Sequence, residues 1–503
     1  MSSAAFRLCL VLLSAALYAA LSTSAGGWLA WIALCPLLFA CASSTPRTAF
    51  GLGIAFGLAA TIGVAWWFPG MLERYFAAGP GLAWLSLLAV GATVDGVPYG
   101  LFAAGVALAA RRRLASPLLV GCGFGLAELL RSHGPLANPF GLLGYSLRDT
   151  PLAQAADLAG PIGLGVLVVT VSAAVTAQLA PGLARRPRRA LAWSAIAALS
   201  VLAYGEWSLT RSFGVGRPVR VALVQGAVSR GLHWDRALRD ANLARYLELN
   251  ELAARGRPEL VFWPEFAIDF YLSEPTVERA RLLDGVRAGG ADVVLGASRY
   301  VFAPQGTEYF NSVFVIDRAG NVGPVGYDKQ RLVPFSEYAP LGSVLRADSA
   351  VYVAGSEPRW LETTAGRVGA FVCGEALYPE VARGLARAGA EILANPSNDY
   401  WFGAPEAAAQ QLASARFRAL ENRRYLVRAT ATGVSAVIDP HGRVSAQSLG
   451  DGPEVIAAEL RRSHAVTLYQ RLGEGGVALL CLVSLALALV GARRNSLSQG
   501  GSA

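Results

Sequence analysis

Long apolar runs separated by short arginine clusters constrain this chain more than any other feature. A helix that crosses the hydrocarbon core of a bilayer needs roughly 20 apolar residues. Seven such runs precede residue 208, at about 4–22, 25–43, 49–69, 81–110, 115–131, 160–181 and 190–207, and an eighth lies at 474–492. The fourth run contains Asp95 and Pro98. Proline interrupts the helical hydrogen-bond ladder, so this run is expected as one kinked helix. The first run ends in small residues, as a cleaved leader would, but apolar segments follow at once and it is expected to stay as a spanning helix.

The arginines orient these runs. Arg47 follows the second, Arg111, Arg112 and Arg113 the fourth, Arg185, Arg186, Arg188 and Arg189 the sixth, and Arg493 and Arg494 the eighth. Loops after the odd-numbered runs hold only scattered charges such as Arg74, Arg131 and Arg148. Clustered Arg marks the cytoplasmic side, so both termini are expected in the cytoplasm. Seven crossings then carry the segment between the last two runs to the outside. The formal charge of +9 sits largely in these clusters. No basic and aromatic patch accompanies it, so no nucleic-acid partner is expected.

That outside segment, 216–468, has the composition of a soluble domain. Short β-rich runs occur at 219–225, 259–264, 292–298, 311–317, 367–373, 391–396 and 425–438, with helical stretches at 235–255, 276–288 and 404–422. Several strands are apolar almost throughout, which is the pattern of strands buried on both faces. The reading is α/β with layered sheets. Of the 44 Lys and Arg residues one is a lysine, Lys329, and of the 6 cysteines only Cys373 lies in this domain. An ammonium is a compact charge that suits a small oxyanion, whereas guanidinium is a wide fork. A lone extracytoplasmic cysteine has no intramolecular partner to form a disulfide with, and is either buried and inert or a reactive thiol. Glu265 and Cys373 both end apolar strands, where α/β sites are built. A carboxylate can take a thiol proton, and an ammonium with a backbone N–H, such as that of Gly374, can stabilise the resulting oxyanion.

The segments LVFWPEFA, YDKQRLVPFSEYAPL, VGAFVCGE and NPSNDYWFG resemble the Glu–Lys–Cys signature of the nitrilase superfamily of carbon–nitrogen hydrolases. With seven apolar helices before this domain and one after, the chain resembles the membrane branch of that superfamily, the apolipoprotein N-acyltransferases. The resemblance implies an α-helical bundle of eight transmembrane helices plus a nitrilase-like αββα sandwich. It divides the chain into a membrane domain at 1–207, an extracytoplasmic catalytic domain at 216–468 and a final transmembrane helix at 474–492. Glu265 would be the general base, Lys329 the oxyanion stabiliser and Cys373 the nucleophile, with Glu337 and Glu375 shaping the site. Trp234 matches a tryptophan on a loop over the entrance, and Trp401 a packing or lid residue. The family typically carries an aromatic, usually Tyr, where this chain has Gly374, which implies a wider acyl pocket.

The implied reaction is ping-pong. An acyl chain passes from a phospholipid to Cys373 as a thioester, and then to the α-amine of a diacylglyceryl-modified N-terminal cysteine of an apolipoprotein. The resemblance further implies residence in the bacterial inner membrane with the catalytic domain in the periplasm. No metal or organic cofactor is expected, and nothing in the sequence demands more than a monomer. The rival expectation is a membrane-anchored amidase or hydrolase of the nitrilase type, with water resolving the thioester. One anchor would serve such an enzyme, whereas this chain has eight apolar runs.

Overall fold

A computed structural model of the chain describes residues 3–23, 27–134, 136–228, 236–304, 306–324, 326–338, 352–450 and 452–500. Its contacts separate two compact units, Met1–Arg211 with Arg471–Ala503, and Ser212–Gln470.

In the first unit, among the described residues, 6 helices are long and apolar enough to cross a membrane: Ser3–Ser22, Pro46–Val64, Pro80–Arg111, Pro151–Thr176, Pro187–Leu209 and Glu474–Gly491. The runs expected at 25–43 and 115–131 give shorter helices. The first of these, Gly27–Ala42, breaks between Ala33 and Cys35, where Pro36 opens its second piece. The other, Pro117–Ser132, has 16 residues, or roughly 24 Å at the α-helical rise. In Pro80–Arg111 the irregularity is a π turn at Gly91–Asp95, just before Pro98. Pro98 has no N–H for the carbonyl four residues back, and the wider turn absorbs the change of register. Helices Pro46–Val64 and Gly96–Arg111 meet through glycines. A Cβ on Gly57 would stand 2.7 Å from the Gly96 Cα, so only small residues let these backbones approach.

Arg131, which reads as a loop charge in the sequence, is instead buried at the end of Pro117–Ser132. Its Nη1 donates to Asp95 Oδ1 (3.3 Å) and to the Asn138 carbonyl (2.6 Å). Its Nη2 donates to Glu128 Oε1 (3.3 Å) and to the Phe140 carbonyl (2.9 Å). Tyr18 donates to the Gly141 carbonyl (2.7 Å) and to Glu128 Oε1 (3.1 Å). Three carbonyls of the irregular segment after the helix, those of Asn138, Phe140 and Gly141, are thus satisfied from within the protein.

The second unit contains two six-stranded sheets. The first holds β1 (Val215–Gln225), β2 (Leu260–Phe262), β3 (Asp292–Ala303), β4 (Gly306–Ile316), β5 (Tyr327–Asp328) and β12 (Glu454–Arg462), in the order β12-β1-β2-β3-β4-β5. The second holds β6 (Trp360–Thr363), β7 (Gly366–Ala370), β8 (Ile392–Ala394), β9 (Leu426–Arg428), β10 (Ala436–Ile438) and β11 (Val444–Gln447), in the order β11-β10-β9-β8-β7-β6. The centres, β1-β2-β3 and β7-β8-β9, are parallel. Side chains alternate across each strand. Val221, Leu223, Phe262 and Val294 face the other sheet, against Val368, Ala370, Ile392 and Val427. Ala222, Val224, Val261 and Val293 instead pack on the helices Arg236–Ala254 and Val277–Gly289. Helices Pro379–Ala388 and Pro405–Asn422 cover the second sheet. The layering is αββα, and burial on both faces explains why the strands read as continuous apolar runs.

Replacing Arg131 by Met leaves Asp95 and Glu128 buried without their cation. Breaking a buried pair from one side costs about 3 kcal/mol or more. The thermal midpoint of the detergent-solubilised protein is expected to fall accordingly, and an unchanged midpoint would show that the cluster does not hold the segment.

Candidate active site

Glu265 stands three residues beyond β2, on a segment that stays clipped to β3. Trp263 N–H donates to the Val294 carbonyl (2.8 Å), Gly296 N–H to the Pro264 carbonyl (3.0 Å) and Ala267 N–H to the Gly296 carbonyl (2.9 Å). A Cβ on Gly296 would lie 2.7 Å from the Glu265 Cα, so this close turn needs glycine on β3. Lys329 directly follows β5, and its N–H donates to the Asn311 carbonyl on β4 (2.9 Å). Its neighbour Asp328 is held by the Arg299 fork (2.8 and 2.5 Å).

These two side chains meet in a buried charge cluster. Lys329 Nζ donates to Glu337 Oε1 (2.9 Å) and to Glu265 Oε1 (3.4 Å). Asn311 Nδ2 donates to the same two atoms, at 3.0 and 2.7 Å. Glu337 Oε2 accepts from the Val333 N–H (2.7 Å), which fixes its own loop. Burial alone would neutralise Lys329, but Glu337, then Glu265, hold its pKa well above the ordinary lysine value. The ammonium therefore stays charged although only 1% of its residue surface is exposed.

Cys373 begins a 3-10 turn, Cys373–Leu377, three residues after β7. Its φ is +49°, a left-handed conformation that costs a non-glycine residue about 1–2 kcal/mol and that is retained at sites where geometry matters more than local stability. The Cys373 N–H donates to the Pro396 carbonyl (2.8 Å). Burial first, then the Glu265 charge, push the thiol up to about 12, with Lys329 opposing. At neutral pH the side chain is therefore a thiol rather than a thiolate. Glu375, on the same turn, accepts from Val372 N–H (2.6 Å), Gln330 N–H (2.7 Å), Arg331 N–H (2.9 Å) and the Tyr327 hydroxyl (2.8 Å). It thereby ties the cysteine turn of the second sheet to the lysine loop of the first. Burial raises its pKa to about 7 against the pull of these donors.

Glu265, Lys329, Glu337, Cys373 and Glu375 thus converge. A Cβ at Gly374 would meet nothing within 4 Å, so the space beside the cysteine is open. Trp401 closes the 3-10 turn Asp399–Trp401 and is half-buried. Trp234 lies outside the described residues. Sequence reading missed Asn311, although a polar residue opening the apolar run NSVFVID was a signal for it. It also missed Ser397, Asp399 and Arg428 behind the cysteine. Among the described residues, no group of 3 or more His, Cys, Asp and Glu is placed to hold a metal ion.

Comparison with known proteins extends this picture. Residues 220–470 match the carbon-nitrogen hydrolase family, and residues 13–174 match the apolipoprotein N-acyltransferase N-terminal domain. The chain is 33% identical to an apolipoprotein N-acyltransferase of Geobacter metallireducens over 89% of this chain and 87% of the relative. It is 32% identical to one of Pseudomonas putida over 89% of each. Among solved structures it is similar to a nitrilase-superfamily amidase of Nesterenkonia, at 21% identity, a TM-score of 0.38, and coverage of 50% of this chain and 92% of that one.

Two outcomes are expected. With the thiol at about 12, the rate of Cys373 alkylation by iodoacetamide should still climb about tenfold per pH unit beyond the ~8.5 of an ordinary cysteine. A plateau near pH 9, followed by mass spectrometry of the Cys373 peptide, would contradict this environment. Asn311→Ala should lower turnover at least tenfold, or about 1.4 kcal/mol, and should also lower the thermal midpoint, because it removes a buried donor from both Glu265 and Glu337 at a cost of about 1–3 kcal/mol; an unchanged turnover would contradict this role.

Proposed function

The chain belongs to the apolipoprotein N-acyltransferases, and from that premise we propose how its residues divide the work. It is a multi-pass membrane enzyme that transfers an acyl chain from a phospholipid to a lipoprotein through a cysteine thioester. The relatives align through both the apolar region and the nitrilase-like domain, so an amidase held by a simple anchor is not favoured.

Glu265 takes the Cys373 proton as the sulfur attacks an ester carbonyl carbon of the phospholipid. The carbonyl π electrons move to oxygen, and the oxyanion is stabilised by Lys329 Nζ and by a backbone N–H. The Cys373 N–H is donated to Pro396, so the N–H of Gly374 is the one proposed for this role. The ester C–O bond then breaks, Glu265 returns the proton to the departing oxygen, and a lysophospholipid leaves. In the second half, the α-amine of the diacylglyceryl-modified cysteine attacks the thioester carbon. Glu265 accepts a proton from that nitrogen, the C–S bond breaks, and the thiol is re-formed. The product is an amide. Glu337 keeps Lys329 charged and in place, and Glu375 holds the lysine loop against the cysteine turn.

The observation that carries this reading is the buried Lys329 ammonium bonded to both Glu265 and Glu337 and close enough to Cys373 for their charges to interact. Fixed donors of this kind typically contribute about 2.7–4 kcal/mol each to an acyl-transfer transition state. We further propose that the enzyme works as a monomer in the bacterial inner membrane, with the catalytic domain in the periplasm. The arginine clusters after even-numbered apolar runs support that orientation. The membrane domain is taken as 1–207, the catalytic domain as 216–468 and the last span as 474–492.

Incubation of the purified protein with a phospholipid radiolabelled in its acyl chains should leave label on Cys373 that hydroxylamine removes. Cys373→Ala should abolish it, and Lys329→Arg should slow it by about a hundredfold or more. Addition of a diacylated lipopeptide should move the label onto its amine. Label retained in Cys373→Ala would refute the nucleophile, and release only as free fatty acid would refute the transferase.

A further inference from the structure

Behind the cysteine turn lies a second buried ion pair that the proposed mechanism does not use. Arg428, at the end of β9, is fully buried. Its Nη2 donates to both carboxylate oxygens of Asp399, at 2.7 and 2.9 Å, and to Gln411 Oε1 at 3.2 Å. Its Nη1 donates to the Asn395 side-chain oxygen. Asn395 in turn donates through Nδ2 to the Phe371 carbonyl (2.9 Å) and to the Cys373 carbonyl (3.3 Å). Pro396, the next residue, accepts the Cys373 N–H. The Ser397 hydroxyl donates to Asp399 Oδ1 (3.2 Å), and the backbone of Ser397 is pinned to the strand-end residues Ala429 and Ala431 at 2.8 and 3.0 Å. A Cβ on Gly433 would come within 2.6 Å of Asp399 Oδ2, so the loop after β9 closes over the pair.

The five residues Asn395–Asp399 therefore do two things at once. They hold both backbone polar groups of Cys373, and they carry a carboxylate, Asp399, whose charge reaches the thiol. An unpaired carboxylate there would disfavour the thiolate, and its own burial would be costly. We propose that Arg428 and Asp399 form a positioning pair: Arg428 locks the segment that sets the left-handed backbone of Cys373, and it offsets the Asp399 charge so that Glu265 can remove the thiol proton. This rests on the reading of Cys373 as the nucleophile. The charges that act on the thiol are Glu265 beyond β2, Lys329 beyond β5 and Asp399 beyond β8, while Glu375, on the cysteine's own turn, acts on Lys329. The Ser397 hydroxyl gives its one hydrogen to Asp399 Oδ1, and burial first, then Glu265, raise the thiol's pKa, with Asp399 adding to them and Lys329 opposing.

The pair gives opposite signs when broken from its two ends. Asp399→Asn leaves an unmatched guanidinium near the sulfur, and Arg428→Gln leaves an unmatched carboxylate. Cys373 alkylation by iodoacetamide is followed on the full-length detergent-solubilised protein from pH 7 to 10, by mass spectrometry of the Cys373 peptide. Asp399→Asn should react faster and Arg428→Gln slower, each by about threefold or more, the change in thiolate for half a pKa unit. The double variant should return toward the parent rate. Both single variants should lose turnover. A merely structural role predicts that both loosen the core and accelerate alkylation together. Shifts in the same direction, or no shift in either, would overturn the proposal. If these variants do not accumulate as folded protein, Arg428→Lys, which keeps the cation beside Asp399 but loses the fork that also holds Asn395, carries the test: lowered turnover with alkylation near the parent rate supports it, and unchanged turnover, or alkylation changed by about threefold or more, overturns it. Thioester trapping on the unaltered protein is run in parallel, so failure of the nucleophile reading shows there and failure of the pair shows in the pH profiles.

Discussion

A lysine ammonium cannot leave water without counter-charges, and Lys329 is the place where this chain meets that demand. Glu337 and Glu265 flank its Nζ at 2.9 and 3.4 Å, and Asn311 braces both carboxylates. Burial first, and then the Glu265 charge, hold the thiol high rather than low, with Lys329 opposing. The arrangement does not make a standing thiolate of the kind found where a cysteine sits among cations. It favours a protonated sulfur with a base at hand, and an ammonium ready for an oxyanion that has not yet formed. Preorganisation of that kind is effective because the dipoles and charges are already oriented before the reaction.

Much of this was legible in the residues. A single lysine among 44 basic residues and a single cysteine in the soluble stretch identify two members of the site without reference to any relative, and apolar strands that end in charge identify the third. The sheets were legible where strands are buried on both faces, because continuous apolar runs admit few other readings. Edge strands were not. β5, β6 and β11 are two to four residues long and owe their existence to neighbours in the sheet. The run at 425–438 reads as one element, yet β9 and β10 are separate strands that pair antiparallel.

What escaped the sequence was mostly polar chemistry made by distant contacts. Asn311 looks like any strand residue until Glu265 and Glu337 arrive on either side of it. Asp399 and Arg428 are 29 positions apart and acquire meaning only when β8 and β9 lie side by side. Arg131 was misread for a related reason. Its spacing from the apolar runs matched a topological charge, whereas its surroundings, Asp95 and Glu128, come from a π turn and from one helical turn earlier. Charge counting sees neither. The same physics governs both units: a buried cation is tolerated where carboxylates and carbonyls converge on it, and the backbone is then fixed by the convergence.

The site is divided between the two sheets. Glu265, Lys329 and Glu337 are carried by the first, while Cys373, Glu375 and the Arg428 pair belong to the second. The apolar layer made by Leu223, Phe262 and Val294 against Val368, Ile392 and Val427 therefore also sets the gap between Glu265 and Cys373. A misplacement of reacting groups by about 1 Å can cost roughly a hundredfold in rate, so a substitution in that layer acts on the chemistry as well as on stability. Inter-sheet packing is in this sense part of the site, although none of its side chains touches a reacting atom.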